Sequence, residues 1–288
     1  MSSRAALAAT RSLDILSFLA TNPDQAFSLT ELAVALDINP SSMFGIINAM
    51  ADAGYVSRHA FQKTYRLGPV AAAVGVAALN QDSNLEAAAD EVNRLGVELD
   101  AEAVVVIAVA GEMVTLACAG PSGGRFLSFV GQRVTHGAPV GSIFVAWSEP
   151  DVVDAWLERA DPGLSDATKE QYREVLGIVR QEGQAIVTLV ERKWRFAVSP
   201  KTATSTRNEL LVPMAPGSKH RLYYVGVPVF DAQGQVLFGL FATGTSTKVT
   251  IDRVTELSDR LDDAATSVMN RIGGKAPKAP PPSTRKRK

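Results

Sequence analysis

Few residues in this sequence stand at spacings that could make or break a covalent bond. Gly120-Pro121-Ser122-Gly123-Gly124 fits the G-x-S-x-G pattern of a serine nucleophile. That pattern needs a strand leading in and a helix leading out, so that a sharp turn exposes the hydroxyl. The run after it, Arg125 to Val130, is itself strand-like, and a glycine-rich turn explains the pattern better. His59, His136 and His220 are far apart and at no metal-ligand spacing. His136 could lie near the single cysteine, Cys118, but a satisfied core or surface histidine is the simpler reading. No phosphate loop or G-x-G-x-x-G run is present. No catalytic residue, metal or cofactor is therefore assigned.

The chemistry on offer is recognition. Between Pro40 and Ala53, at about 100° per residue, Met43, Ile46, Ile47 and Met50 fall on one face. Ser41, Gly45, Asn48 and Asp52 lie opposite, with Ser42, Phe44 and Ala49 on the flanks. Small and polar side chains near a helix N-terminus can meet base edges in a major groove. Shortly afterwards Arg58, His59, Lys63 and Arg66 collect positive charge that could reach phosphates. Ser41, Ser42, Phe44, Gly45, Asn48, Arg58 and Lys63 are the candidate DNA-contacting residues. No Lys or Arg occurs from Pro40 to Ala53.

Two helices and a ribbon would have to position these groups. Ser28 can cap a first helix, and Glu31 completes a capping box. Leu29, Leu32, Ala33 and Leu36 recur at helical spacing. Asp37-Ile38-Asn39 supplies a turn with Ile38 buried in the corner. Asn39 caps the next helix, Pro40 suits its first position and Gly54 its left-handed end. Helix, short turn, helix is the layout of a helix-turn-helix reader. Tyr55 to Arg58 and Thr64 to Leu67 then read as the two strands of a wing. An earlier helix spans Arg11 to Ala20, after a mobile arm over residues 1–10 whose Arg4 could reach a minor groove.

The pieces Arg11-Ser12-Leu13-Asp14-Ile15-Leu16, SLTELA, the helix end AGYV and Tyr65-Arg66-Leu67-Gly68 resemble the winged-helix domain of the IclR-type transcription regulators, in the same order over some sixty residues. The resemblance aligns Pro40 and Gly45 with positions where relatives often carry a Lys and an Arg that contact DNA.

The 288 residues suggest two domains, with 46% hydrophobic and 20% charged residues as in ordinary globular proteins. One cysteine excludes an intrachain disulfide framework and fits a reducing cytosol. No signal peptide or stretch of roughly 20 apolar residues stands out, so a cytoplasmic location with no membrane partner is expected. Net charge is −1, yet residues 273–288 carry six positive charges and no acid. Residues 1–68 hold five basic and five acidic side chains. Phosphate attraction per subunit should be modest, which favours a dimer or higher assembly on DNA.

Past the wing, Pro69 to about Leu79 is small and apolar, and the resemblance implies a linker helix at a dimer contact. Helical stretches follow at Asn84–Asp100, Ser142–Trp147, Asp151–Ala160, Ala167–Glu182 and Ile251–Ile272. Strand-like runs occur at Ala103–Ala110, Met113–Ala119, Arg125–Val130, Gln184–Val190, Leu222–Phe230 and Gln235–Thr243. The fold expected is α+β: winged helix-turn-helix over 11–68, linker helix over 69–82, and over 83–272 an effector domain with an antiparallel sheet. GQRVTHGAPVGSIFVAW from Gly131, GQAIV from Gly183 and GVPVFDAQGQVLFGL from Gly226 extend the resemblance, which implies a GAF-like fold. The Pro-rich basic tail, 273–288, is expected to be disordered and to anchor nucleic acid non-specifically, if it acts at all.

The resemblance also implies a small-molecule pocket. At the positions matching the pocket of acid-sensing relatives this chain has Pro139 and Val140 on a loop, and Tyr224, Phe241 and Thr243 on strands. These are bulky and carry no cation for a carboxylate, so either they fill core or the effector is largely apolar or aromatic. The expected function is an effector-controlled regulator, as a homodimer or dimer of dimers on operator DNA, of a catabolic operon. A sensor with a degenerate DNA reader is the main rival, and a hydrolase on the C-terminal domain a distant third.

Overall fold

A computed structural model describes residues 4–81, 83–120, 128–190, 193–198, 208–243 and 248–277. The chain divides into two compact units at Glu86, with Val130–Gln132 grouped with the first.

The first unit contains helix α1 (Arg4–Thr21), strand β1 (Phe27–Ser28), helices α2 (Leu29–Ala35) and α3 (Pro40–Asp52), strands β2 (Val56–Arg58) and β3 (Thr64–Leu67), and helix α4 (Pro69–Gln81). The capping box forms: the Glu31 amide donates to Ser28 Oγ at 3.3 Å, and the Ser28 amide donates to Glu31 Oε2 at 2.7 Å. The bond from the Ser28 amide holds the Glu31 carboxyl below its ordinary pKa. Replacing Ser28 by alanine should cost about 1 kcal/mol, seen as roughly fivefold faster amide exchange in α2; unchanged exchange would show that the box adds nothing. At the other end of the motif Asn39 Oδ1 caps α3 by accepting from the Ser42 amide at 2.8 Å. Gly54, at φ +77°, closes α3 with its amide on Ala51 O, while the Tyr55 amide bonds Met50 O. This pair of bonds satisfies carbonyls that the last turn would otherwise leave open.

Ile38 is buried in the α2–α3 corner with Ile15, Leu19, Leu32, Met43, Ile47, Val56 and Tyr65. Sequence periodicity anticipates this core. Two features differ from expectation. Helix α1 starts at Arg4, so residues 4–10 are helical rather than a mobile arm; Ala5, Ala6, Ala8 and Ala9 extend the helix because alanine loses least on entering one. The Arg4 side chain lies outside the described part. The wing also gains a third strand, β1, which pairs with β3 at Phe27↔Tyr65 and Ser28↔Thr64.

The second unit is built on a sheet of strands β4 (Glu102–Val109), β5 (Glu112–Ala119), β6 (Arg133–Thr135), β7 (Ala185–Val190), β8 (Lys193–Val198), β9 (Leu211–Pro213), β10 (Lys219–Phe230) and β11 (Val236–Thr243) in the order β6-β5-β4-β11-β10-β7-β8-β9. A short strand β12 (Val249–Thr250) also pairs with β10. All pairs are antiparallel except β8–β9, a departure from the antiparallel sheet expected. The strand expected at Arg125–Val130 falls mostly outside the described residues, and Ser128, Phe129 and Val130 are not strand; the edge strand is β6 instead.

Helices α6 (Ser142–Val145), α7 (Pro150–Ala160) and α8 (Asp166–Glu182) share one hydrophobic cluster with Val104, Val106, Val187, Tyr224 and Phe241 of the sheet. The last helix, α9 (Ile251–Ile272), packs on β10 and β11. It is joined to α5 (Ser83–Glu98) by Ser267 Oγ donating to Glu91 Oε1 at 2.6 Å, by Arg271 with Asp90 at 3.2 Å, and by Arg260 with Glu98. After α9 the chain does not fray at once, which corrects the expected start of the tail. The Gly274 amide bonds Met269 O, the Lys275 amide bonds Asp231 O at 3.0 Å, and a Cβ on Gly274 would sit 2.0 Å from Phe230 O. Residues 273–277 are thus seated on the β10–β11 turn. Among the described residues no helix is long and apolar enough to cross a membrane.

Candidate nucleic-acid interface and effector site

On α3 the buried stripe Met43, Ile47 and Met50 leaves Ser41, Phe44, Gly45 and Ala49 exposed, with Ser42 and Asn48 half-buried beside them. Phe44 is 56% exposed. A Cβ placed on Gly45 would meet nothing within 4 Å, so the middle of this face is open. The helix therefore presents hydroxyls, an amide and one aromatic ring, on a surface that Asn39 and Pro40 begin and Gly54 ends.

The wing adds charge. Arg58, His59, Lys63 and Arg66 are all exposed, and none forms an ion pair among the described residues. Arg58 lies with its guanidinium 5.8 Å from the Tyr65 ring centroid, which fixes its direction. The His59 amide donates to Thr64 O at 2.8 Å and the Lys63 amide to His59 O at 3.0 Å. Lys63 takes φ +53° to close this turn. Every residue chosen from sequence as a DNA contact is on one or other of these two elements.

In the second unit four of the five residues chosen as effector contacts come together. The Tyr224 hydroxyl donates to Pro139 O at 3.2 Å, joining β10 to the loop before α6. Trp156 Nε1 donates to Val140 O at 2.9 Å on the same loop. The Tyr224 and Phe241 rings meet edge to face at 5.2 Å. Thr243 is opposite Tyr224 in the β10–β11 register and is half-buried. Burial pushes the Tyr224 phenol far above its ordinary pKa, so it serves as a neutral donor.

Phe241 is held by small neighbours. Cross-strand from it is Gly226, and two positions back is Gly239; a Cβ on either would come within 2.5 Å of the ring. Phe144 faces the ring at 6.3 Å, and His136 packs edge-on to Phe144 at 5.7 Å. His136 Nε2 donates to Gly141 O at 3.1 Å, and burial holds its imidazole below the ordinary pKa. Ser142 Oγ is fully buried beside this group without a hydrogen-bond partner among the described residues. Sequence reasoning missed Ser142, Phe144, Trp156 and the buried Glu102, which is opposite Thr243 and accepts from the Ser128 amide at 3.1 Å. Only an acidic residue at the very start of an otherwise apolar strand could have signalled the last. Among the described residues no three His, Cys, Asp or Glu side chains could hold a metal. The serine pattern at 121–124 lies outside the described residues.

The family described as the IclR helix-turn-helix domain matches residues 8–60. Over 266 residues the chain is 23% identical to the HTH-type transcriptional regulator BhcR of Paracoccus denitrificans, covering 88% of this chain and 83% of that protein. The crystal structure of an IclR transcriptional regulator from Alicyclobacillus acidocaldarius has the same fold, with TM-score 0.69, 21% identity and coverage of 91% and 97%. So does an IclR homolog complexed with 4-hydroxybenzoate from Microbacterium hydrocarbonoxydans, with TM-score 0.62, 16% identity and coverage of 92% and 99%. Residues 8–60 thus match an IclR helix-turn-helix domain, and over most of its length the chain is similar in sequence and in fold to IclR-type transcription regulators.

Proposed function

We propose that this regulator reads operator DNA through α3 and the wing as a homodimer or dimer of dimers, and that a largely apolar or aromatic effector governs its DNA affinity. The exposed face of α3, built from Ser41, Ser42, Phe44, Gly45 and Asn48 behind a correctly capped N-terminus, carries the DNA reading. Arg58 and Lys63 supply phosphate contacts. Helix α4 supports self-association: Val74 and Val76 stand exposed on a helix otherwise made mostly of alanine, glycine and valine. A reader of operator DNA would act in the cytoplasm, and the proposed target, a catabolic operon, is taken from the resemblance to IclR-type regulators.

For the effector, Pro139, Val140, Tyr224, Phe241 and Thr243 are the proposed contacts. Their aromatic edges and the lack of a cation among them support an apolar or aromatic ligand. The relative complexed with 4-hydroxybenzoate makes aromatic acids the first compounds to try. One observation favours the rival reading of a sensor with a degenerate reader: α3 has no Lys or Arg.

Selection of DNA from a random-sequence pool by the full-length protein separates the two. Enrichment of one motif, protected upstream of its own gene in footprinting, is expected; recovery of only random sequences would favour the sensor. A thermal-shift series with 4-hydroxybenzoate, steroid-like compounds and glyoxylate or pyruvate then tests the effector. A ligand at about 100 times its Kd should stabilise by roughly 2.7 kcal/mol and alter operator affinity by the same coupling factor as the DNA alters its own binding. Stabilisation by glyoxylate or pyruvate alone would refute the apolar reading.

A further inference from the structure

The tip of the wing carries a residue that the reading above does not use. Phe61 is 92% exposed, more than Phe44, Leu13 or Val34 in the same unit. Burying a phenylalanine side chain is favourable, and this turn leaves that gain unused. A single exposed apolar side chain needs no explanation, but three observations set this one apart.

First, the ring is on a structured turn. Its base is closed by the His59–Thr64 and Lys63–His59 backbone bonds, and the Gln62 amide donates to His59 Nδ1 at 3.2 Å. Second, the ring of His59 lies 6.4 Å from that of Phe61, so the tip presents two flat groups side by side. Third, exposed cations flank the ring: Arg58 and Lys63 within three residues and Arg66 on the returning strand. An apolar ring ringed by positive charge fits a partner with negative edges and flat apolar surfaces inside, which is the description of a DNA groove. It fits a second apolar protein surface poorly, because the same cations would have to be desolvated there.

We infer that Phe61 is a wedge: it enters the minor groove beside the bases read by α3, partly unstacks one base step and bends the duplex. Apolar wedges of this kind kink DNA by about 20–90°, most cheaply at flexible TA or CA/TG steps. Phe61 thereby selects a deformable step at a fixed distance from the α3 contacts without hydrogen-bonding to any base. This inference rests on the proposal that the chain binds DNA.

The test uses full-length protein and the DNA that wild type enriches from a random pool, end-labelled for energy transfer and carrying 2-aminopurine at each flanking step in turn. Wild type should shorten the end-to-end distance and raise fluorescence at one step. Phe61→Ala should lose both signals and bind roughly tenfold more weakly, while keeping the base preferences set by α3. Phe61→Leu should retain most of the bend, and Lys63→Ala should weaken binding without removing the fluorescence change. Melting temperatures of the Phe61 variants should match wild type, since the ring packs on no core. Equal bend and fluorescence for wild type and Phe61→Ala would overturn the wedge and leave the DNA reading intact. Failure of wild type to enrich any sequence would instead remove the DNA reading, and the wedge with it.

Discussion

Replacing Phe241 by alanine is expected to destabilise the second unit by about 3–5 kcal/mol. The ring is 4% exposed and lies over Gly226 and Gly239, against Tyr224, Phe144 and Ile143. Gly226 and Gly239 offer no side chain to fill the space it leaves, and its own strand, β11, is held between β4 and β10. The same geometry gives a coupled test. Gly226→Ala alone drives a methyl to about 2.5 Å from the ring edge and should cost about 1–3 kcal/mol by overpacking. In the Phe241→Ala background that methyl has room, so the double variant should be more stable than the sum of the two losses predicts. Denaturant unfolding of the four proteins measures this, and strict additivity would mean that the ring does not occupy this position. The effector can be scored on the same proteins: the ligand-induced shift in melting temperature should shrink in Phe241→Ala. A full shift there would put the ligand elsewhere.

Local rules carried the first unit. Caps, turn residues and the apolar stripe at Met43, Ile47 and Met50 are all within a few residues of the structures they specify, so the helix-turn-helix was legible. Strand β1 was not, because two residues have no periodicity and Phe27 and Ser28 become strand only by meeting Tyr65 and Thr64. The same holds for β6 and β9, which are short edge strands whose partners are distant in sequence. At the effector site the resemblance supplied Tyr224 and Phe241, but the contact of Tyr224 with Pro139 spans 85 residues. Phe144 and Ser142 looked like ordinary helix residues until the sheet register set them beside Phe241. The docking of Gly274 and Lys275 onto the β10–β11 turn was equally silent, because a Gly-Gly pair before a proline-rich run reads as the start of a linker.

Asn48→Ala should abolish the choice of operator, and Lys63→Ala should not. Asn48 is half-buried on the reading face of α3, next to the open space over Gly45, and an asparagine amide can pair with adenine at both N6 and N7. Such a pair is worth about 1–3 kcal/mol of discrimination, or on the order of 2–6 kcal/mol across the two half-sites of a dimer. With no Lys or Arg on this helix, few other side chains could replace that discrimination. Lys63 is different in kind. It is exposed on the wing turn, has no ion-pair partner among the described residues, and carries a charge without a fixed hydrogen-bonding plane. Its loss should weaken operator and scrambled DNA alike and lower the slope of log affinity against log salt by about one per subunit. Titrations of both variants against the two DNAs at several salt concentrations separate these outcomes. If Asn48→Ala discriminates operator from scrambled DNA as well as wild type does, the bases are being read by another part of α3, and Phe44 is the next side chain to change.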